Sequence, residues 1–285
     1  TNGNRSTGDS NMSRGSDTVV PTTLGTSTDE KRLNSDSPIQ VPDGINNIAA
    51  AVPYFVPTGV FTPDESYLVR VRMQSNDIGI EPCRFMMPGV NTGDAAFTSV
   101  QAPMLKSYEM NIPNASAANI NIYGQAMVGN TAAPFLGCEL LYSTGSTGQE
   151  QYWDTPDSIS TGGTTIDTRT TLNTITITNG VEITSLGMVV TPTTAAASTH
   201  DVGEAEFNSS DFQTPFPQKF PIAPAFTGLG SAANNLTNPA GLSQQRFPAG
   251  EGIPIAARCL VNSFFTNRDA KGTGSKVMPF LSFTR

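Results

Sequence analysis

Charged side chains are scarce in this sequence of 285 residues. They make up 14% of the chain, whereas about 25% is usual for a soluble domain. Bases are scarcer than acids, with 16 Lys and Arg against 24 Asp and Glu, so the net charge is −8. A free-standing nucleic-acid-binding protein normally carries a basic excess or a basic stripe. We therefore expect no direct binding to nucleic acid.

Long hydrophobic runs and helical repeats are missing as well. The sequence contains no stretch of about 18 apolar residues that would form a membrane-spanning helix. It also lacks an Ala-, Glu-, Lys- and Leu-rich region typical of a coiled coil or a helical bundle. The first residues show no charged segment followed by an apolar one, so no signal peptide is expected. In place of charges the chain is rich in Ser, Thr and Asn, with 26 Gly and 21 Pro.

Cysteine is rare, with three residues that are far apart in the chain. Cys83, Cys138 and Cys259 form no C-x-x-C pair, and each is followed by apolar residues. An odd number of widely spaced cysteines is unlike a disulfide framework. We predict buried free thiols rather than a disulfide, which points to assembly in a reducing compartment.

Residues 1–44 lack aromatic residues and contain few aliphatic ones. Such a segment cannot bury enough apolar surface by itself to offset the entropy lost on ordering. We predict an extended polar N-terminal arm that is flexible or lies across a neighbour. Its four bases are outnumbered by six acids, so it is not a basic genome-binding arm.

From residue 45 onward the sequence indicates β-structure. Apolar residues alternate with polar ones in residues 67–74 and again in residues 174–178. Asn179 and Gly180 then suggest a type I′ hairpin turn into Val181. Further β-like runs occupy residues 83–88, 104–112, 135–143, 186–191, 255–266 and 276–284. We predict an all-β sandwich or barrel over residues 45–285.

No catalytic signature is visible. His200 is the single histidine, it lies in a polar stretch, and the G-x-S-x-G motif of serine hydrolases is absent. Residues 272–276 are similar to a P-loop in composition but lack the G-x-x-x-x-G-K-[ST] spacing, and they precede an apparent strand instead of a helix. We therefore predict no catalytic residue, no cofactor-binding residue and no enzymatic activity.

Clustered acids suggest one speculative metal site. Asp201, Glu204 and Glu206 could supply the hard oxygen ligands that Ca²⁺ prefers, as could Asp154 with Asp157. Neither set fits an EF-hand loop. A glycosidase carboxylate pair is one alternative, and solvated loop carboxylates are the other.

Two sets of residues are candidate assembly contacts. Phe212, Phe216 and Phe220 lie in a proline-rich segment that favours an extended conformation with its rings buried, either against a neighbour or over this chain's own core. Arg258 and Arg268 belong to a basic C-terminal region, whereas residues 135–211 are strongly acidic. The two regions could form head-to-tail contacts between copies, or both could be solvated faces.

Taken together, these features resemble viral jelly-roll capsid proteins. The resemblance rests on the polar arm of residues 1–44, the strand series that runs from residues 66–74 to 276–284, and the long loops at residues 145–163 and 215–254. It covers the whole chain and is compositional, without a diagnostic motif. The acidic arm differs from the basic arms of many RNA-virus coats. This difference favours the coat of a tailless DNA phage, in which the capsid surrounds an internal membrane.

The resemblance implies a jelly-roll sandwich that self-assembles into an icosahedral shell. The expected partners are copies of the chain, other capsid proteins and an internal viral membrane, with no cofactor apart from the speculative calcium. The expected location is the virion, assembled in the host cytoplasm. About 240 residues after the arm fit a single elaborated roll better than two compact rolls, although two rolls remain an alternative.

Two other functions compete with the coat protein. A phage fibre, spike or cell-surface receptor-binding protein shares the β-rich composition, but would typically show repeats or a trimerising stalk. A carbohydrate-binding or carbohydrate-active sandwich would typically display several exposed Trp and Tyr residues, whereas this chain has one Trp and six Tyr.

Overall fold

The computed structural model of the chain is all-β. It describes residues 14–23, 29–34, 37–56, 65–66, 69–87, 90–92, 107–127, 135–145, 148–191, 200–213, 217–226, 238–239, 241–268 and 276–285. Every regular element within these ranges is a strand. The described part of the chain accordingly contains no helix with the length and apolar character to cross a bilayer.

Eleven strands precede residue 144. They are β1 (Arg14–Thr23), β2 (Lys31–Arg32), β3 (Ile39–Gln40), β4 (Asn47–Val56), β5 (Glu65–Ser66), β6 (Val69–Ser75), β7 (Ile80–Met87), β8 (Val90–Thr92), β9 (Tyr108–Pro113), β10 (Asn119–Ala126) and β11 (Phe135–Ser143). One sheet has the order β1-β11-β4-β9. A second has the order β2-β10-β6-β7, with β3 also paired to β10.

Twelve strands follow residue 151. They are β12 (Tyr152–Asp154), β13 (Ser160–Thr161), β14 (Arg169–Thr171), β15 (Ile175–Ile177), β16 (Glu182–Thr191), β17 (His200–Asn208), β18 (Gln218–Phe226), β19 (Asn238–Pro239), β20 (Gly241–Arg246), β21 (Ile253–Pro254), β22 (Cys259–Asn267) and β23 (Lys276–Thr284). One sheet has the order β12-β23-β16-β20, with β13 and β21 at its margins. The other has the order β14-β22-β17-β18, with β15 paired to β22.

Both halves of the chain have the same topology. In each, the first element pairs with the last, the last with the third and the third with the sixth, while the remaining four elements form the opposing sheet. This is the eight-element order of a jelly roll, in which broken strands count as one element. We call residues 14–143 the first roll and residues 152–284 the second roll.

The two rolls also share their register. Strand β4 pairs with β11 over nine positions, and β16 pairs with β23 over nine positions. Each ladder contains one bulge, at Ala49 in the first roll and at Thr184 in the second, two pairs from the same end. The preference for a single roll is therefore wrong: the chain is a double jelly roll, built from two diverged copies of one motif.

The predicted arm of residues 1–44 is not separate from the sandwich in its described part. Strand β1 pairs with β11, and strands β2 and β3 pair with β10, so this segment completes both sheets of the first roll. The ordering entropy of this polar segment is offset because its backbone groups join existing ladders. Residues 1–13 lie outside the described residues.

The predicted hairpin at Asn179 and Gly180 is also wrong. Strand β15 pairs with β22, whereas β16 pairs with β20, β21 and β23 in the other sheet. The turn therefore connects the two sheets of the second roll. Consecutive strands on opposite sheets are the rule in a jelly roll, and an alternating pattern alone does not say which strands pair.

Buried aliphatic and aromatic side chains form one core cluster that continues through both rolls. Alternating burial is clearest in β10, where Ile120 and Ile122 point inward. Cys83, Cys138 and Cys259 are buried free thiols, as predicted. Desolvation raises the pKa of Cys83 and of Cys138 to about 12, so both thiols stay protonated at neutral pH.

Candidate functional site

The junction between the rolls is organised around Trp153, at the start of the second roll. Its side chain is 2% exposed. The backbone N–H of Trp153 donates to Sγ of Cys83 at 3.1 Å, and its indole Nε1 donates to the carbonyl oxygen of Glu109 at 2.8 Å. The ring also meets Tyr108 edge-on, with centroids 5.0 Å apart. One side chain of the second roll is thus anchored to two strands of the first.

Three arginines lie beside this anchor on the outer face of the first roll. Arg70 and Arg72 are two residues apart on β6 and therefore share a face. Arg84 on β7 is the register partner of Arg72. We call these three residues the arginine cluster. They line a cavity of about 400 Å³ together with Glu30, Gln125 and Asp157.

Arg70 is the most enclosed member of the cluster, with a side chain 6% exposed. Its Nη1 donates to the carbonyl oxygen of Pro156 at 3.0 Å, and its Nη2 donates to Oε1 of Gln125 at 2.5 Å. Burial, followed by repulsion from Arg84, lowers the pKa of Arg70. The site therefore holds a positive charge that its surroundings only partly compensate.

The second roll supplies carboxylates to this arginine cluster. Oδ1 of Asp157 lies 2.9 Å from Nη1 of Arg84 and 3.4 Å from Nη1 of Arg70. Oδ1 of Asp154 lies 3.7 Å from Nη1 of Arg84. Burial raises the pKa of Asp154 to about 7, against the opposing effects of Arg84 and of the Thr155 N–H bond. Asp154 therefore changes charge near neutral pH inside the junction.

Arg72 is held separately from the other two arginines. It forms a two-point contact with Glu30, with Nη2 at 2.5 Å from Oε1 and Nε at 2.9 Å from Oε2. Its guanidinium also lies 4.0 Å from the ring centroid of Tyr123. A paired arginine stacked on an aromatic ring is a rigid arrangement.

The second roll has matching positions with different charges. Glu206 on β17 pairs in register with Phe264 and Lys219, as Arg72 pairs with Tyr123 and Arg84. Arg169 lies 3.4 Å from the centroid of the Phe264 ring. An arginine therefore stacks on an aromatic ring on the matching face of each roll. The two faces differ in charge, because β17 carries Glu206 where β6 carries Arg72.

The predicted calcium site is not supported by this geometry. The Glu206 carboxylate accepts two hydrogen bonds from Arg169, at 2.7 and 3.1 Å, and lies 3.3 Å from Nζ of Lys219. These cations hold the pKa of Glu206 below its usual value. Glu204 contacts Lys219 and Arg268. Across the described residues no group of three His, Cys, Asp or Glu could hold a metal. The side chain of Asp201 lies outside the described part.

Several residues predicted as assembly contacts interact with other parts of their own chain. Phe212 is buried and bridges to Ile255, and Phe220 stacks on Phe207 with centroids 5.9 Å apart. Both rings cover this chain's own core, as the alternative held. Phe216 lies outside the described residues. Arg268 contacts Asp167 and Glu204, whereas Arg258 is exposed and has no ion pair within the described ranges.

A second, larger cleft of about 720 Å³ lies between the rolls. Its lining combines Glu109 and Asn111 of the first roll with Arg246 of the second, and Trp153 forms part of its wall. Glu109 and Arg246 occupy matching register positions, opposite Ala50 and Ser185 respectively. Matching positions of the two rolls therefore both contribute to the lining of this cleft, one with a carboxylate and one with a guanidinium group.

Sequence reasoning missed both inter-roll sites. Asp154 and Asp157 were singled out as oxygen ligands, but the structure places them against guanidinium groups. A usable signal was the pair Arg70 and Arg72 inside an otherwise apolar strand, since charges at alternate positions predict one polar face. Nothing local in the sequence indicates that this face is covered by a segment about 85 residues away.

Comparisons with known proteins show likeness in fold. No family model matches the sequence, and no curated protein matches it. Similar solved structures include PNGase F, a glycosylasparaginase from Flavobacterium meningosepticum, at 10% identity and a TM-score of 0.45, with 96% of each chain covered. PNGF-II matches at 10% identity and a TM-score of 0.47, and the chain spans 59% of it. The capsid of virus PBCV-1 matches at 11% identity and a TM-score of 0.42, with 96% of this chain and 93% of that chain covered.

These structures correct the prediction that the chain is not an enzyme. One similar structure is described as a peptide-N(4)-(N-acetyl-β-D-glucosaminyl) asparagine amidase, at 9% identity, a TM-score of 0.45 and 95% coverage of this chain. Proteins of similar architecture thus include enzymes as well as a viral capsid protein.

Proposed function

We propose that this double jelly roll is a structural subunit that self-assembles into a virus capsid shell. The observation that carries the proposal is the way in which the rolls contact each other. The first roll uses its outer β6–β7 face, and the second roll uses its first strand and the residues after it. Two different surfaces therefore meet, so the contact is heterologous.

A heterologous contact between similar units leaves both complementary surfaces available at the ends of the pair. Two positions on the matching face of the second roll are more exposed than their counterparts: the Lys219 side chain is 49% exposed against 23% for Arg84, and Glu204 is 29% exposed against 6% for Arg70. The third, Glu206, is 7% exposed against 16% for Arg72. Strand β1 of the first roll corresponds to β12 and forms the edge of its sheet. Repetition of such a contact generates rings if the rotation closes, and open filaments if it does not.

This arrangement suits a shell. Each chain contributes two rigid rolls, and cyclic assembly of chains would alternate first and second rolls around an axis. Its partners would be copies of itself and other capsid proteins, and its location would be the virion. The acidic net charge of −8 favours a shell around an internal membrane rather than one in direct contact with the genome.

Mass measurement by light scattering, with negative-stain imaging of the same fraction, tests this proposal. Closed particles or cyclic oligomers are expected for the full chain. Lys219→Glu, on the open face of the second roll, should reduce assembly, whereas Glu251→Lys in an exposed turn should leave it unchanged. A chain that stays a 30 kDa monomer at all concentrations, with the fold intact by circular dichroism, would overturn the proposal.

A second candidate function rests on the large cleft between the rolls. A carboxylate and an arginine line it, namely Glu109 and Arg246, and the buried Trp153 forms part of its wall. Such a set could bind a glycan-bearing peptide, with Glu109 as general base for hydrolysis of an amide bond. The lining holds one carboxylate within the described residues, so a two-carboxylate glycosidase mechanism is not favoured.

A glycopeptide cleavage assay followed by mass spectrometry tests this second candidate. Turnover by the full chain should be lost in Glu109→Gln and retained in Glu251→Gln, which alters an exposed carboxylate that does not line the cleft. Absence of turnover by the full chain, or equal turnover by the Glu109 variant, would count against an amidase.

A further inference from the structure

The arginine cluster contains buried donors that the chain does not use. Nε of Arg70 and Nε of Arg84 are both buried, and neither has a hydrogen-bond partner among the described residues. A buried N–H group without an acceptor is costly, and this cost is larger for a charged group. Because the side chain of Arg70 is 6% exposed, bulk water does not readily satisfy this donor.

The charges around these donors do not balance near neutral pH. Three guanidinium groups face the carboxylates of Glu30, Asp157 and Asp154, and among the described residues no other charged side chain lines this cavity. Glu30 is engaged at two points by Arg72. Asp154 is largely protonated below pH 7 because burial raises its pKa to about 7. The cluster then carries three positive charges against two negative ones.

We propose that the cavity lined by Arg70, Arg72 and Arg84 binds a small tetrahedral oxyanion of the phosphate class. The donors available to it are the two unused Nε groups, whose planar guanidinium geometry suits the oxygens of phosphate. The cavity of about 400 Å³ has room for one such ion with its waters. This inference does not depend on the proposed capsid function.

Asp157 controls access to this site. Its side chain is 77% exposed, and its Oδ1 lies between the guanidinium groups of Arg70 and Arg84. Phosphate and this carboxylate compete for the same positive charge and repel each other. Removing the Asp157 charge should therefore tighten phosphate binding, although it removes two ion pairs from the protein. This opposite sign distinguishes a ligand site from a purely structural ion-pair cluster.

Thermal unfolding of the full chain in phosphate, against sodium chloride of equal ionic strength, tests the site. Above the dissociation constant, the midpoint should rise by about 3 °C for each tenfold increase in phosphate. Arg84→Gln should abolish the rise, and Asp157→Asn should shift its onset to a roughly threefold lower concentration. Arg169→Gln is the matched control, because Arg169 is also paired with a carboxylate but lies in the second roll and does not line the cavity, and this variant should keep the full rise.

A second variant at Arg84 and a second probe are included in case Arg84→Gln does not fold. If Arg84→Gln does not fold, Arg84→Lys keeps the charge but lacks Nε and should still weaken the response. An equal rise in the Arg84 variants, or no rise of the unaltered chain above chloride, would overturn the proposal. The same unfolding experiment is repeated with a short oligodeoxynucleotide at the same concentration of phosphate groups. Stabilisation by the oligonucleotide but not by free phosphate would overturn the assignment to a free ion.

Discussion

Single residues at the junction combine anchoring with charge that depends on pH. Trp153 is fixed by two hydrogen bonds and an aromatic contact, all to the first roll. Next to it, Asp154 is buried beside Arg84 at a distance at which attraction offsets only part of the desolvation. A buried carboxyl group with a raised pKa destabilises the fold once it ionises, because the unfolded chain ionises more easily.

The first prediction concerns Asp154→Asn. Since the folded-state pKa of Asp154 is about 7 and the unfolded value is about 3.9, the folded chain binds more protons between these values. Its stability should therefore fall as pH rises through this window, by at most about 1.4 kcal/mol per pH unit from this group. The asparagine variant lacks this loss. Urea unfolding at pH 5, 6, 7 and 8 should show the variant gaining stability relative to the unaltered chain as pH increases.

The control for this prediction is Asp43→Asn, which alters an exposed carboxylate in a turn. Its stability difference from the unaltered chain should stay constant between pH 5 and pH 8. Parallel stability curves for the Asp154 variant and the unaltered chain would show that Asp154 is ionised throughout, contrary to the prediction.

A second residue-scale prediction concerns Phe220. Because its ring stacks on Phe207 and packs on the core, Phe220→Ala should cost about 2–3 kcal/mol of folding stability, somewhat less than a fully buried ring. Leu260→Ala removes a side chain that is 46% exposed and should change stability by less than about 0.5 kcal/mol. Chemical unfolding of the two variants compares them. A stable Phe220 variant with defective assembly would restore the intersubunit interpretation.

At the scale of elements, period-two patterning predicts strands but not their partners. The sequence predicts β-structure for residues 67–74, and strand β6 confirms it over the described part, at Val69–Ser75. That a segment forms a strand can be recognised from the local alternation of its side chains. Pairing depends on contacts across the whole roll, such as β1 with β11, and the two-residue turn at Asn179 and Gly180 carries no information about them.

Close approaches between strands and rings depend on particular glycines. Gly187 on β16 is the register partner of Phe280 on β23, and a Cβ at position 187 would overlap the Phe280 ring. Gly187→Ala should therefore destabilise the second roll by about 1–3 kcal/mol, the usual cost of overpacking. Gly145→Ala, where a Cβ would meet nothing within 4 Å, is the matched control and should be nearly neutral. Equal unfolding midpoints for the two variants would contradict this assignment.

At the scale of the whole molecule, the fold class could be predicted from the sequence, but the number of rolls could not. Composition and alternation do not give the number of rolls, because strands that lack a clear period-two pattern are missed and the β-like runs then number too few for two rolls. The duplication becomes visible in the strand order of the two halves and in their register, where the bulges at Ala49 and Thr184 coincide. Little sequence similarity accompanies it, since matching positions carry opposite charges, as with Glu109 and Arg246 or Arg72 and Glu206. The junction could not be predicted for the same reason.

The last prediction concerns the N-terminal segment, whose described strands belong to the first roll. Deleting residues 1–44 removes β1, β2 and β3 and leaves the ladder edges of β11 and β10 unpaired. Unpaired edges expose backbone groups and promote aggregation. We therefore expect the shortened chain to lose solubility or to unfold at a much lower temperature, whereas deletion of residues 1–13 retains every described strand and should leave folding intact. Size-exclusion chromatography and circular dichroism measure both variants. A soluble, fully folded monomer lacking residues 1–44 would instead re-establish this segment as a separate arm that functions only in assembly.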